Sequence, residues 1–506
     1  MSVTLSQQLE LYYDTLKAEG WSLALREVLG HRPNSPELLE QLRNECLNIQ
    51  IETKEEYLKF AKSCLALLLL YDQNFFSPEK KIEFFSSLYL KLCEVQYPEE
   101  WQLATLYKAL IGLLLGEKVE DIYLHVMESG VTLREYKGHF PEEHLPHFIK
   151  NGELAVLGLI LSSLTSNPVL LKKTLKLVYW LASFLQEDTM FPEGLWMKED
   201  EYSLSSLCFI NALAFQGTSA LVSSPSIDQA YHFLQKKIEG FTPRILSSLE
   251  SVYPLLQLFL MKCLQESSLT EKMSMELKEI QIESERQHAL KPHDQYLGYG
   301  GYQYDDFSCY CSASGVGSGY ACLRKGSVDI VSIGPHFPLL GEMKNYGIYR
   351  TPMMKQTPFK DIKMEKSTTA FSFKGWTRVI QENSLSLRPG DCWIYIDLQA
   401  KGKRCEMQVR WMNGKATPEL LLAFFVKADK VIIDKSYHLQ PHTLDRYQGK
   451  ATEVCFQKKE SSLQIKNKEK CLVQVVPLAG DNHFWGAQFL VAYALPKDQE
   501  TLFEIF

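Results

Sequence analysis

Leucine-rich periodicity of the helical kind runs almost unbroken to about residue 290 and then gives way to short, turn-punctuated segments of β type. In the first part, proline follows a capping or turn residue at Ser35-Pro36, Ser77-Pro78, Tyr97-Pro98, Phe140-Pro141, Asn167-Pro168 and Thr242-Pro243. Each predicts a helix start, because a proline at the first helical position lacks only an N–H that would have no partner there. Glutamates next to Pro36, Pro78, Pro98 and Pro141 sit well at the positive helix end. The stretches Leu65–Leu70 and Leu154–Leu161 are apolar nearly all round and predict helices buried on both sides. Glu271 to His288 is mostly polar and reads as a last helix or a connector. The segments opening at Pro78 and Pro168 look alike, but the spacings are irregular. An irregular helical array or an α/α toroid fits better than a strict solenoid.

Beyond residue 295 the predicted strands are 307–311, 327–333, 370–373, 392–398, 406–411, 420–425, 430–433, 453–457, 463–466, 471–476 and 487–493. Turn signals separate them at Arg388-Pro389-Gly390-Asp391, Asn413-Gly414, Gln448-Gly449 and Gly480-Asp481-Asn482. Many short strands without intervening helices predict an antiparallel sandwich or jelly roll. The expected fold is thus a two-domain α+β protein. It has an all-α helical array or α/α toroid over 1–290 and an antiparallel β-sandwich over 291–506.

Charge narrows the partners. A net charge of −7 and a pI near 6.0 give no general attraction to nucleic acid or anionic lipid. The basic run Lys466 to Lys470 contains Glu469 and reads as solvated strand ends. The N-terminus shows no basic stretch followed by an apolar one, so no cleaved secretion signal is read. The apolar stretches 64–71, 155–164 and 177–185 are short of the roughly 18–20 residues of a spanning helix, so no membrane segment is expected. A cytoplasmic protein, or one exported without a cleaved signal, is expected. The twelve cysteines are scattered, with Cys64, Cys208 and Cys263 inside apolar helices, which points to free thiols in a reducing compartment.

Candidate chemistry comes from three places. Asp294–Tyr320 carries six tyrosines and six glycines in 27 residues. Such a surface suits a sugar ring, a peptide or a base, with Tyr296 and Tyr304 as ligand contacts; it also suits a loop whose tyrosines cover a domain interface. The loop Phe191–Leu204 sets Trp196 and Tyr202 beside Glu193, Glu199, Asp200 and Glu201, which fits either sugar chemistry or helix capping. The run Pro477–Leu495 places His483 and Trp485 at the tip of a closing hairpin, as ligand contacts or as core filling. His438-x3-His442 spans Pro441, and Cys309-x-Cys311 puts two thiols on one face of a strand; neither makes a metal site, and no metal or cofactor is expected.

The order of a helical domain followed by antiparallel sheets resembles the polysaccharide lyases of the heparinase and hyaluronate lyase groups, which join an α/α toroid to β-sheets. That resemblance implies β-elimination in a cleft between the domains. A tyrosine or histidine would remove the proton beside a uronate carboxylate, while a polar or basic group neutralises that carboxylate. The corresponding candidates are Tyr202 and His144 from the helical part, and Tyr299, Tyr302 and Arg350 from the β part. A polysaccharide or oligosaccharide is the ligand so implied. An acidic one needs a locally basic groove, for which Lys344, Arg350, Lys374, Arg378 and Arg410 are available if they converge. The alternative is a non-catalytic protein whose helical array and sandwich dock a protein partner.

Overall fold

In the computed structural model, the residues described are 20–29, 34–72, 78–95, 102–117, 148–185, 204–239, 252–266, 278, 293–294, 299–316, 319–336, 355–356, 360–367, 369–380, 392–413, 420–478 and 487–506. The chain divides into two compact units. One holds Met1–Pro141, Phe148–Ala182 and Asp200–Arg286; the other holds Glu142–His147, Ser183–Glu199 and Gln287–Phe506.

The first unit has ten helices among the described residues. They are α1 (Gly20–Leu29), α2 (Pro36–Leu47), α3 (Lys54–Asp72), α4 (Pro78–Glu94), α5 (Gln102–Leu114), α6 (Phe148–Thr165), α7 (Pro168–Ser183), α8 (Leu204–Leu221), α9 (Pro225–Glu239) and α10 (Val252–Glu266). Helices open at Pro36, Pro78 and Pro168, and the two caps described there use side-chain oxygens. Ser35 Oγ accepts from Leu38 N at 3.2 Å, and Asn167 Oδ1 accepts from Val169 N and Leu170 N at 3.0 and 3.1 Å. The starts expected at Pro98, Pro141 and Pro243 lie outside the described residues, as does nearly all of Glu271–His288.

Helix α6 packs against α5, α8 and α10 and is buried from Phe148 to Ser163 apart from Lys150. By length and composition it is apolar enough to cross a membrane, yet 83% of it is buried inside the protein. Gly158 lets its backbone approach α7, since an added Cβ would lie 2.4 Å from Thr174 Oγ1. A charged pair sits inside this helical core. Lys62 Nζ of α3 donates to Glu153 Oε1 of α6 at 2.5 Å, and the same carboxylate accepts from the hydroxyls of Tyr253 (α10) and Tyr107 (α5).

The second unit is one antiparallel sheet. Its strands are β1 (His293–Asp294), β2 (Tyr299–Tyr304), β3 (Phe307–Val316), β4 (Gly319–Lys325), β5 (Val328–His336), β6 (Lys355–Gln356), β7 (Lys360–Lys366), β8 (Ala370–Ile380) and β9 (Cys392–Lys401). They continue with β10 (Arg404–Asn413), β11 (Leu420–Lys427), β12 (Lys430–Ile433), β13 (Tyr437–Leu439), β14 (Tyr447–Lys458), β15 (Ser461–Pro477), β16 (Phe489–Leu495) and β17 (Glu500–Ile505). One wing runs β7-β8-β9-β10-β17-β15 and the other β15-β16-β11-β5-β4-β3-β2-β1, with β14, β12 and β13 beyond the far edge of β15. The long β15 therefore belongs to both wings.

The two wings close over a single apolar core, so the sheet is nearly barrel-like. Alternation builds it: Phe371 and Phe373 of β8, Ile394, Ile396 and Leu398 of β9, and Met407, Val409 and Trp411 of β10 all point inward. Strand β11 is buried on both faces, with Leu421, Ala423 and Phe425 in a second cluster beside Leu490 and Ala492 of β16.

Three expectations need correction. Gln448-Gly449 is not a turn but lies within β14, paired with Gln474 and Val473. The basic run Lys466–Lys470 lies inside β15 rather than at a strand end, and the long β15 absorbs two predicted strands. The strands β2, β4, β7 and β17 were not anticipated, because glycine, tyrosine and charge obscure their alternation, and neither were β1, β6 and β13, which are only two or three residues long.

Candidate functional site

Of the ten residues singled out from sequence, His144, Trp196, Tyr202, Tyr296, Arg350, His483 and Trp485 lie outside the described residues. Tyr299 is in β2 opposite Ser312, with its side chain outside the description. Tyr302 faces inward: it is 2% exposed, its hydroxyl donates to Thr369 O at 2.9 Å with Gly402 O at 3.3 Å, and burial pushes its pKa up. A buried phenol held on carbonyl oxygens is a tie between β2 and the turns flanking β8 and β9, not an exposed catalytic base. Tyr304 is 45% exposed, beside the turn where Lys403 pairs with Asp305 and Asp306. In this segment Gly301 serves packing. Gly301 is the register partner of Tyr310, whose ring occupies the space a Cβ would need, at 2.3 Å.

A more complete arrangement lies on the outer face of β8, β9, β10 and β17. Residues directly opposite one another share a face, as do residues two apart along a strand. With Phe371, Phe373, Ile394 and Ile396 pointing inward, the outward rows follow from the register. One row runs Trp376–Tyr395–Arg410–Glu500; the next runs Lys363–Lys374–Asp397–Gln408. The rings of Trp376 and Tyr395 stand 4.9 Å apart at 49°. Both are half-buried, as are Lys374, Asp397 and Gln408, while Arg410 and Lys363 are exposed. Trp393 extends the aromatic surface from the neighbouring row.

Electrostatics add to the arrangement. Asp397 Oδ1 accepts from Gln399 Nε2 at 3.2 Å. Burial, followed by the carboxylates of Asp397 and Glu500, pushes the Tyr395 hydroxyl above its ordinary pKa, so it stays protonated and acts as a donor. Lys363 and Lys374 stand directly opposite each other, a like-charge pair that an anionic group lying across them would relieve. Of the basic residues named from sequence, Lys374 and Arg410 share this face by register; Arg378 is the register partner of Trp393, with its side chain outside the description, and Lys344 lies outside the described residues. The face can stack a flat ring on Trp376 and Tyr395 and hydrogen-bond its substituents from both sides.

Sequence reasoning found the cations here but missed Trp376, Trp393 and Tyr395. The signal was available. In Ala370–Ile380 and Cys392–Lys401 the inward phase is apolar, and aromatics recur in the opposite, wet phase of two consecutive strands.

The helical unit has a separate groove of about 860 Å³, between α2 and the wall formed by Tyr71, Lys80 and Phe84. Glu37, Glu40, Gln41, Asn44 and Glu45 of α2, with its C-capping Asn48, make a polar stripe along it. Arg43 joins α2 to α4, donating to Phe84 O at 2.8 Å and Ser87 Oγ at 3.0 Å. Three carboxylates against Lys80 make this groove acidic, so it does not suit a uronate chain.

No protein-family model matches the chain, and no curated protein matches it. Among solved structures, a heparinase III gene product is similar over 98% of this chain and 77% of its own, at 8% identity and a TM-score of 0.30. The 4-alpha-glucanotransferase from Thermococcus litoralis is similar over 59% of this chain, at 10% identity and a TM-score of 0.28. This chain spans 48% of the length of that glucanotransferase. Neither likeness bears on what this chain does.

Proposed function

We propose that the protein binds carbohydrate and that the outer face of β8, β9 and β10 is where it does so. The observation that carries this is the pairing of Trp376 with Tyr395 on one row, flanked by Lys374, Asp397, Gln408 and Arg410. Aromatic rings take the apolar face of a sugar, while amide, carboxylate and cationic groups take its hydroxyls and any acidic substituent. The opposed Lys363 and Lys374 favour chains that carry carboxylate or sulfate.

The test is binding of the purified protein to neutral and uronate-containing glycans at two salt concentrations. Wild-type protein is expected to bind uronate chains in a salt-sensitive manner. Trp376→Ala should weaken binding at least tenfold, about 1.4 kcal/mol, at both salts. Lys374→Met should remove most of the salt dependence. Absence of binding to any glycan, or unchanged binding by Trp376→Ala, overturns the proposal.

The finer reading is an α/α toroid joined to a sandwich that cleaves its glycan by β-elimination. Its support is the order of a helical unit followed by an antiparallel sheet. Its remaining candidates are Tyr202, His144, Tyr299 and Arg350, since Tyr302 is committed to the core. A rise in unsaturated uronate absorbance on incubation with the bound glycan tests that step. A second reading, docking of a protein partner, is favoured by the acidic groove along α2, whose charge suits a basic segment; loss of a captured basic peptide in Glu37→Gln/Glu45→Gln tests it.

A further inference from the structure

The outer face of β7, β8, β9, β10 and β17 carries its charges in bands. The row holding Lys363 and Lys374 lies next to the one holding Trp376, Tyr395 and Arg410, and together they make a basic and aromatic band whose single carboxylate there is Asp397. On the other side of Lys374 the row runs Glu365–Ser372–Gln399–Glu406–Glu504, with three carboxylates and no cation on these five strands. Glu365 and Glu406 are exposed and Glu504 is half-buried. Lys466, which faces Glu504 from β15, also pairs with Glu453 at 3.6 Å. One row further, at the β9–β10 turn, the face is basic again, with Lys401 directly opposite Arg404 and both exposed.

Rows lie about 6.6 Å apart along a strand, less than the Debye length of about 8 Å at physiological salt, so a carboxylate row acts on whatever lies over the next one. A chain laid along the strands from Tyr395 therefore runs towards Glu406 and Glu504, a like-charge pair that repels an anionic sugar. A chain laid across the strands meets Lys363, Lys374, Trp376, Tyr395 and Arg410 in turn and stays on the basic band. The band ends at β17, where the exposed Glu500 stands opposite Arg410. From β7 to β10 is three strand spacings, roughly 14 Å, and a sugar ring with its linkage is about one spacing long.

We infer that the face selects a short anionic run, about three sugar rings lying across the strands from β7 to β10, and that Glu406 with Glu504 turns away longer, uniformly anionic chains. This rests on the carbohydrate reading above and adds to it the direction, length and charge pattern of the ligand. The ligand class is a glycan whose uronates come in short blocks between neutral sugars. Neutral rings can pass over the acidic row, where their hydroxyls donate to its carboxylates. Glu406 points away from the apolar core that its neighbours Cys405 and Met407 enter, so its role is in what the face accepts and not in holding the sheet together.

The experiment measures the affinity of the full chain, per binding frame, for fully anionic uronate oligosaccharides from disaccharide to octasaccharide, and repeats it with Glu406→Lys. Wild-type affinity is expected to climb to the tetrasaccharide and then stop. Glu406→Lys should join the band to Lys401 and Arg404, strengthening octasaccharide binding about tenfold while trisaccharide binding changes by less than about twofold. Three results overturn the inference and leave the carbohydrate reading standing, so long as Trp376→Ala still weakens binding. They are wild-type affinity that keeps rising to the octasaccharide, no effect of Glu406→Lys, and an equal effect of it on short and long chains. Absence of wild-type binding to every uronate chain, or binding that Trp376→Ala leaves unchanged, overturns the carbohydrate reading and this inference with it.

Discussion

Replacing Lys62 by methionine should destabilise the helical unit more than almost any other single change at comparable volume. Lys62 is 3% and Glu153 is 1% exposed, and the ammonium is the only cationic partner of that carboxylate among the described residues. Among the described residues, removing it leaves the buried carboxylate with the Tyr107 and Tyr253 hydroxyls as its side-chain donors. Breaking a buried pair in this way costs about 3–5 kcal/mol, a third or more of the stability of an ordinary domain. For a unit of this size each kcal/mol moves the midpoint by about 2–4 °C, so a fall of about 10 °C is expected. Scanning calorimetry is the suitable assay, since two units need not unfold in one step and the β unit serves as internal reference. The double variant Lys62→Met/Glu153→Gln removes both charges while leaving an amide oxygen for the phenols, and should recover more than half of the loss. A fall below about 2 °C for the single variant, or a double variant no better than the single, would refute the claim that an isolated buried charge is what costs.

Two further outcomes follow from local geometry. Gly158→Ala should cost about 1–3 kcal/mol by overpacking, because its Cβ would sit 2.4 Å from Thr174 Oγ1, and Thr174→Ala should relieve most of that in a double-mutant cycle. At Asp434, burial raises the carboxyl pKa, but hydrogen bonds from the Thr452 and Glu453 N–H groups and the Thr452 hydroxyl outweigh it and hold the pKa below the ordinary 3.8. A depressed carboxylate contributes stability that is present above its unfolded pKa and lost as pH falls through the folded value. Chemical denaturation between pH 5 and pH 2 should therefore show the β unit losing stability below about pH 4, less steeply in Asp434→Asn.

The helix starts were legible wherever proline and a capping side chain coincided, as at Pro36 and Pro168, because both signals are local. Strands with apolar alternation, such as β9 and β11, were legible for the same reason. Strand β2 was not: its YGGYQY sequence reads as a loop until Tyr310 is seen to lie over Gly301 from the next strand, a tertiary fact. The aromatic pair of the candidate site stayed hidden because Trp376 and Tyr395 are 19 residues apart in sequence and become neighbours only through the β8–β9 register. Lys374 and Arg410 were noticed for their charge, yet their convergence is again a matter of register. The burial of Tyr302 was hidden for a different reason. An exposed phenol and one reaching across a core to a carbonyl have the same letter.

The position of β17 has a consequence for how the protein is made. Residues 500–505 slot between β10 and the middle of β15, so one wing is joined to the other partly through the last strand described. During synthesis β10 leaves the ribosome about 90 residues earlier, roughly 5–20 s at ordinary elongation rates. Through that interval β10 offers an open edge carrying Met407, Val409 and Trp411, a template for pairing with another nascent chain. Until β17 arrives the edge stays open, and crowded ribosomes on one message are where mispairing of β10 would be expected first.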